Sequence, residues 1–268
     1  MRLTVDHVTR YHYDRPVRSV VQSHRLQPSA FAGQKVISWE VTVSGGTRGA
    51  SFRDGAGDQV QAWTVAGPVS EVTVRVQGTL ETVDLTGVLR GHKETVAPEC
   101  YMRATTPTRA DTALDALARR AEGGDPLALA HSLSALVADA IAYMPGVTHA
   151  HTTAAEALAL GAGVCQDHAH ALIAGARVRG LPGRYVSGYL FSDADGQSHE
   201  AAHAWAELHL PGLGWVGFDP ANRCCPDDRY IRLGSGFDAQ DAAPIRGIAR
   251  GGGTEEMDVT VAILQASQ

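Results

Sequence analysis

Three residues of this 268-residue chain have the types and settings that thiol chemistry needs: Cys165, His203 and Asp219. Cys165 follows Gly161-Ala162-Gly163-Val164 and opens a stretch in which Cys165, Ala169, Leu172, Ile173 and Ala176 share one helical face. That spacing predicts a sulfur in the first turn of a helix, on its protein-facing side. The partial positive charge and free N–H groups of a helix start favour a thiolate and can also hold the oxyanion of an acyl intermediate. A thiol nucleophile needs a base, and the base gains from a group that orients it. His203 stands in a stretch of period two, where His203, Trp205, Glu207 and His209 alternate with Ala204, Ala206, Leu208 and Leu210. Asp219 ends the next stretch, Trp215-Val216-Gly217-Phe218-Asp219, which follows the turn Pro211-Gly212-Leu213-Gly214. Folding the two as a hairpin about that turn sets position 203 against 221 and brings Asp219 beside His203.

Each residue alone has an ordinary explanation. Free cysteines are among the most buried residue types, twelve histidines give many chances of accident, and Asp219-Pro220 initiates turns. None of these accounts for the joint pattern. A rival motif overlaps it: His199-Glu200-Ala201-Ala202-His203 has the form H-E-x-x-H of a zinc peptidase. That motif works on a helix, whereas here it follows the loop-like Asp193-Ala194-Asp195-Gly196-Gln197 and leads into a period of two. No metal site is therefore assigned. The pairs His149/His151 and His168/His170 read as exposed or locally bonded histidines.

The elements that must position these residues divide into two regions. Residues 1–100 read as β-rich: alternating 2–13, the strand 36–43 closed by Ser44-Gly45-Gly46, turns at Asp54-Gly55 and Gly57-Asp58, and alternating 72–77 suggest a small sandwich of short strands. Helical signals begin near residue 108. Thr108 with Asp111 resembles a capping box, Asp125-Pro126 an N-cap followed by Pro, and Thr153 with Glu156 a second capping box, its helix ending at Gly161. Leu129, Leu133, Leu136, Val137 and Ile141 form a helical stripe. A change of texture between Pro98 and Pro107 sets the boundary, with 101–268 as the second domain.

Net charge is −6, which argues against nucleic acid as a main partner. No run of about 18 apolar residues is present to span a membrane. The start of the chain does not read as a signal peptide, and four cysteines make no disulfide framework. A reducing cytoplasm is the expected setting. The oligomeric state is left open.

The segments 163–170, 184–189, 203–207 (His-Ala-Trp-Ala-Glu) and 214–222 (Gly-Trp-Val-Gly-Phe-Asp-Pro-Ala-Asn) resemble the core of bacterial transglutaminase-like proteins, within the papain-like thiol superfamily. Tyr11-His12-Tyr13, His24-Arg25-Leu26-Gln27-Pro28 and Pro244-Ile245-Arg246-Gly247 are similar to the family's flanking parts. An aromatic often stands where His168 does, and Cys224-Cys225 is not part of the pattern. The resemblance implies an α+β fold: an N-terminal β-sandwich-like domain, then a core with the catalytic Cys at a helix N-terminus packed on an antiparallel sheet. It implies Cys165 as nucleophile, His203 as general base and acid, and Asp219 as its orienter. No cofactor is implied. The expected substrate is a peptide or protein amide, cleaved or transferred through a thioester, with hydrolysis favoured over transamidation. Gln166 and Tyr143 are candidates for a second oxyanion donor, and Trp205 and His168 for shaping the pocket. The alternatives are the zinc peptidase and a non-catalytic binding protein on the same fold.

Overall fold

The computed structural model describes residues 1–191 and 202–265. The chain begins with four antiparallel strands: β1 (Arg2–His24), β2 (Gln34–Val43), β3 (Gly46–Arg53) and β4 (Gln59–Thr82). The alternation seen in the sequence is real: Leu3, Val5, His7, Thr9, Tyr11 and Tyr13 are all buried on one side of β1. The strands are not short, however. β1 and β4 run together for over twenty residues each, with register shifts around Val17. The turn-forming residues Asp14-Arg15-Pro16 and Gly67-Pro68 sit at that irregularity rather than at hairpin ends, so they bend long strands instead of ending short ones. Both halves feed one core, with Val5, Tyr11, Val20, Val41, Trp63 and Val74 in a single cluster.

The second region is helical before it returns to strands. α1 (Thr112–Arg119) is followed by α2 (Pro126–Ala140), the short β5 (Ala142–Tyr143), α3 (Ala154–Leu160), the short β6 (Ala162–Gly163) and α4 (Cys165–Val178). Asp125 caps α2, and Thr153 with Glu156 forms the capping box of α3. At α1 the cap is Asp111, whose carboxylate accepts from Leu114 N at 2.8 Å. Thr108, expected to take part in that cap, lies outside the helix and accepts instead from Arg177 Nη1 at 2.6 Å.

Helix α4 is the axis of the core. Asp167 to Ala176 are all buried, because α1, α2 and α3 pack on one side and the sheet on the other. That sheet comprises β7 (Gly183–Leu190), β8 (Ala202–Leu210), β9 (Gly214–Phe218) and β10 (Tyr230–Gly236), antiparallel in the order β10-β7-β8-β9. Ala204, Ala206, Leu208 and Leu210 of β8 face the helices in one apolar cluster.

The last strands, β11 (Ile245–Arg250) and β12 (Glu255–Gln265), pair with β1. The division at residue 100 assigns this tail to the second domain, but its ladder partners belong to the first sheet. β1 is long enough to hold β11 along its second half and β12 along its first. The two regions also share a buried ion cluster. Glu207 of β8 accepts from Arg184 at 2.7 Å and from Arg232 at 2.8 Å. Arg232 reaches Asp58 of the N-terminal region at 2.8 Å, and Arg184 reaches Glu94. Trp215 lies 4.0 Å from the Arg184 guanidinium.

Candidate active site

The site forms where α4 starts against the rim of the sheet. Gly161 ends α3 in the left-handed conformation (φ 68°), and β6 then leads straight into the Cys165 turn. Asp167, at the third helical position, is fully buried. Its carboxylate accepts from Val164 N at 2.8 Å and from Thr148 Oγ1 at 2.7 Å. Gly163 makes room for it: a Cβ there would lie 2.7 Å from Asp167 Oδ2. The first intrahelical bond is made by Asp167 N to Val164 O, so the N–H groups of Cys165 and Gln166 precede the ladder. Cys165 itself is half-buried, packed against the helix-side core.

The β8–β9 hairpin has Leu210 opposite Gly214 and Ala206 opposite Phe218, the register that sets 203 against 221. Asp219 directly follows β9. His203 Nε2 lies 2.6 Å from Asp219 Oδ2. The imidazole also interacts with Cys165, one of the groups that shift its proton affinity, so it stands between thiol and carboxylate. Burial alone would lower its proton affinity. The hydrogen bond to Asp219, the interaction with Cys165, and then the charges of both, outweigh burial and raise its pKa to about 9. Asp219 is fully buried. Burial works to raise its pKa, yet its bond and charge interaction with His203 and its bonds to Asn222 and Tyr230 hold it below the usual carboxylate range.

The other expected residues fall into two groups. Trp205 stacks on His203, ring centroids 6.4 Å apart, and meets Tyr230 edge-on at 5.5 Å. Gly188 opposite His203 admits the indole, since a Cβ would come 2.6 Å from the Trp205 ring. Tyr143 is exposed on β5, opposite Gly163 and so next to the Cys165 turn. Gln166 and His168 are occupied elsewhere. Gln166 donates its amide to Ala150 O at 3.3 Å. His168 is buried, with Nδ1 2.9 Å from Val164 O and Nε2 2.8 Å from Ile141 O. It ties the start of α4 to the end of α2 rather than lining a pocket, because position 168 points into the protein. His170 is likewise buried and accepts from Ala239 N at 3.0 Å.

Of the H-E-x-x-H match, His199 and Glu200 lie outside the described residues. His203 lies on an extended strand, with Nε2 turned to Asp219. Among the described residues, no group of three or more His, Cys, Asp or Glu side chains is placed to hold a metal ion.

Two residues of the site have no role in the sequence reading. Asn222 Nδ2 donates to Asp219 Oδ2 at 2.7 Å and lies 3.3 Å from His203 Nε2. Its backbone N–H turns back to Asp219 Oδ1 at 3.2 Å, so the Asp219 side chain closes the Asp-Pro-Ala-Asn turn, one that the Asp-Pro pair could have signalled. Tyr230 donates to Asp219 Oδ2 at 2.8 Å from β10. No local pattern marks it, since β10 is not adjacent to β9 in the sheet.

Residues 3–81 match the bacterial transglutaminase-like N-terminal region, and residues 115–220 match the transglutaminase-like superfamily. An uncharacterised protein of Mycobacterium leprae is 32% identical over 281 aligned positions, 98% of each chain. An uncharacterised protein of Mycobacterium tuberculosis is 42% identical over 115 residues, 40% of this chain and 37% of its own. Among solved structures, a chain from Cytophaga hutchinsonii described as a "putative cysteine protease" superposes with a TM-score of 0.76, covering 100% of this chain and 92% of its own. At 20% identity, that is a likeness of fold. Matched in both its regions, and aligned with a relative along nearly its whole length, the chain belongs to the bacterial transglutaminase-like family.

Proposed function

We propose that the protein is a cysteine-dependent acyl hydrolase acting on peptide or protein amides, with Cys165 as nucleophile. The observation that carries this reading is the position of His203, hydrogen-bonded to Asp219 at 2.6 Å and electrostatically coupled to Cys165. A histidine held to about 9 is protonated at neutral pH and can give up that proton in the reaction. Cys165 sulfur, as thiolate, attacks the amide carbonyl carbon. The carbonyl oxygen takes the negative charge against N–H groups at the start of α4. His203 delivers its proton to the departing amine, the C–N bond breaks, and a thioester remains on Cys165. Neutral His203 then takes a proton from water, whose oxygen attacks the thioester. The C–S bond breaks, releasing a carboxylic acid and restoring the thiolate. Asp219 keeps the imidazole oriented and stabilises its charge throughout.

An amine in place of water would give a new amide by the same steps. Water is favoured because it needs no second binding site. The test is mass spectrometry of the protein mixed with a peptide library, with and without a primary amine. The expected result is a thioester on the Cys165 peptide and carboxylate products that persist when the amine is present. Conversion of the products mainly to amides would assign transamidation. Turnover unchanged in Cys165→Ala would exclude covalent catalysis by this residue.

A further inference from the structure

The carboxylate of Asp219 is held by more than the histidine it orients. Three donors converge on the single oxygen Oδ2: His203 Nε2 at 2.6 Å, Asn222 Nδ2 at 2.7 Å and the Tyr230 hydroxyl at 2.8 Å. Oδ1 receives only the Asn222 backbone N–H, at 3.2 Å. His203, Asp219 and Asn222 all belong to the β8–β9 hairpin and the loop that follows it. Tyr230 belongs to β10, on the far side of β7, and is the one donor that ties Asp219 to the rest of the sheet. Its ring is wedged between Trp205, edge-on at 5.5 Å, and His203 at 5.9 Å. Its hydroxyl has one proton, which goes to Asp219, so at Cys224 Sγ, 3.3 Å away, it accepts. The result is a chain of hydrogen bonds from Cys224 through Tyr230 and Asp219 to His203.

We infer that Tyr230 is a positioning residue of this site, one that sets how strongly Asp219 holds the His203 proton. A carboxylate oxygen shared among three donors gives less negative charge to each than one shared between two. Removing the phenol donor concentrates that charge on His203 and frees Asp219 to swing. The phenol is suited to the task. Burial, and then the Asp219 charge, push its own ionisation far upward, so it stays a neutral donor throughout the working pH range. Cys224 tunes it one step further out by supplying an S–H to the phenol oxygen. This gives a function to one member of the Cys224-Cys225 pair, which the proposed chemistry leaves unused.

The inference rests on the reading of Cys165 and His203 as a catalytic pair, and its test separates the two. His203 is followed by NMR titration of histidine-labelled protein, its signal assigned by comparison with His203→Gln. In Tyr230→Phe the His203 midpoint is expected to rise by about half a pH unit, with the melting temperature within a few degrees of the parent. Cys224→Ala keeps the phenol but strips its donor, and is expected to move the midpoint the same way by less. This second variant also decides the matter if Tyr230→Phe does not fold. A His203 midpoint that coincides with the parent's in the folded variants overturns the role of Tyr230. Alkylation of parent Cys165 is measured alongside. If that thiol reacts at low pH as slowly as a free cysteine, the catalytic reading fails whatever the variants show.

Discussion

Strand β8 carries two buried carboxylate–cation pairings four residues apart, and they are built differently. At the rim, His203 meets Asp219, with side-chain exposures of 8% and 1%. Inside, Glu207 meets Arg184 and Arg232, with exposures of 4%, 0% and 3%. The inner carboxylate is gripped by guanidiniums that do not give up their protons. Burial would raise its pKa, but the charges of Arg232 and then Arg184 bring it down to about 2. The outer carboxylate holds a group that can lose its proton, and that group's other side faces a thiol. A buried ion pair becomes chemistry when one partner titrates near working pH and keeps a free side. When neither holds, as at Glu207, the pair joins two regions of the chain.

The contrast can be broken from either end. The largest effect is expected at the thiol. Cys165→Ala should lower turnover by about 10⁴-fold or more while leaving thermal unfolding nearly unchanged. A residual rate near the parent's, measured on any accepted substrate, would remove the nucleophile from the scheme. Asp219→Asn keeps the shape but removes the charge. Turnover should fall by about 10³-fold, and the His203 midpoint should drop from about 9 toward its ordinary value, as NMR would show.

Glu207→Gln should do the reverse. It leaves two guanidiniums buried against a neutral amide, at a cost of about 3–5 kcal/mol in urea unfolding. Turnover per folded molecule should stay within about threefold of the parent, since no reacting group is touched. The two pairs should also separate by pH. Glu207 has a depressed pKa, so its stabilisation is present above the unfolded carboxylate range and is lost as pH falls toward about 2. His203 has a raised pKa, so its stabilisation is present below about 6.5 and is lost as pH rises through about 9. Unfolding free energies across pH should therefore decline at both ends. Glu207→Gln should flatten only the acid decline, whereas His203→Gln should flatten the alkaline one and, by removing a partner that depresses the Asp219 pKa, a part of the acid one.

The sequence exposes the outer pair better than the inner one. His203 and Asp219 flank one short turn, so the hairpin register that joins them follows from Pro211-Gly212-Leu213-Gly214 and a period of two. Cys165 is marked by glycines and an apolar helical face. Asp125 and Thr153 announce their helices because a cap is a local bond. The inner cluster has no such signature. Asp58, Glu94, Arg184, Glu207 and Arg232 come from distant segments, and the alternation of β8 implies a solvated polar face where the structure has a buried one. Tyr230 and the return of β11 and β12 to β1 are hidden for the same reason: each depends on a partner far along the chain. Thr108 misled because a threonine three residues before an acid fits a cap as well as it fits its true partner, Arg177.

The most direct measurement is the rate of Cys165 alkylation by iodoacetamide across pH, resolved at its own peptide by mass spectrometry. Parent protein and His203→Ala are run together. The parent is expected to react at pH 5–6 at least about tenfold faster than a free thiol, whose pKa is about 8.5, and His203→Ala is expected to lose that advantage. Coincident profiles for the two proteins, both rising only near the free-thiol pKa, would contradict activation of Cys165 by His203.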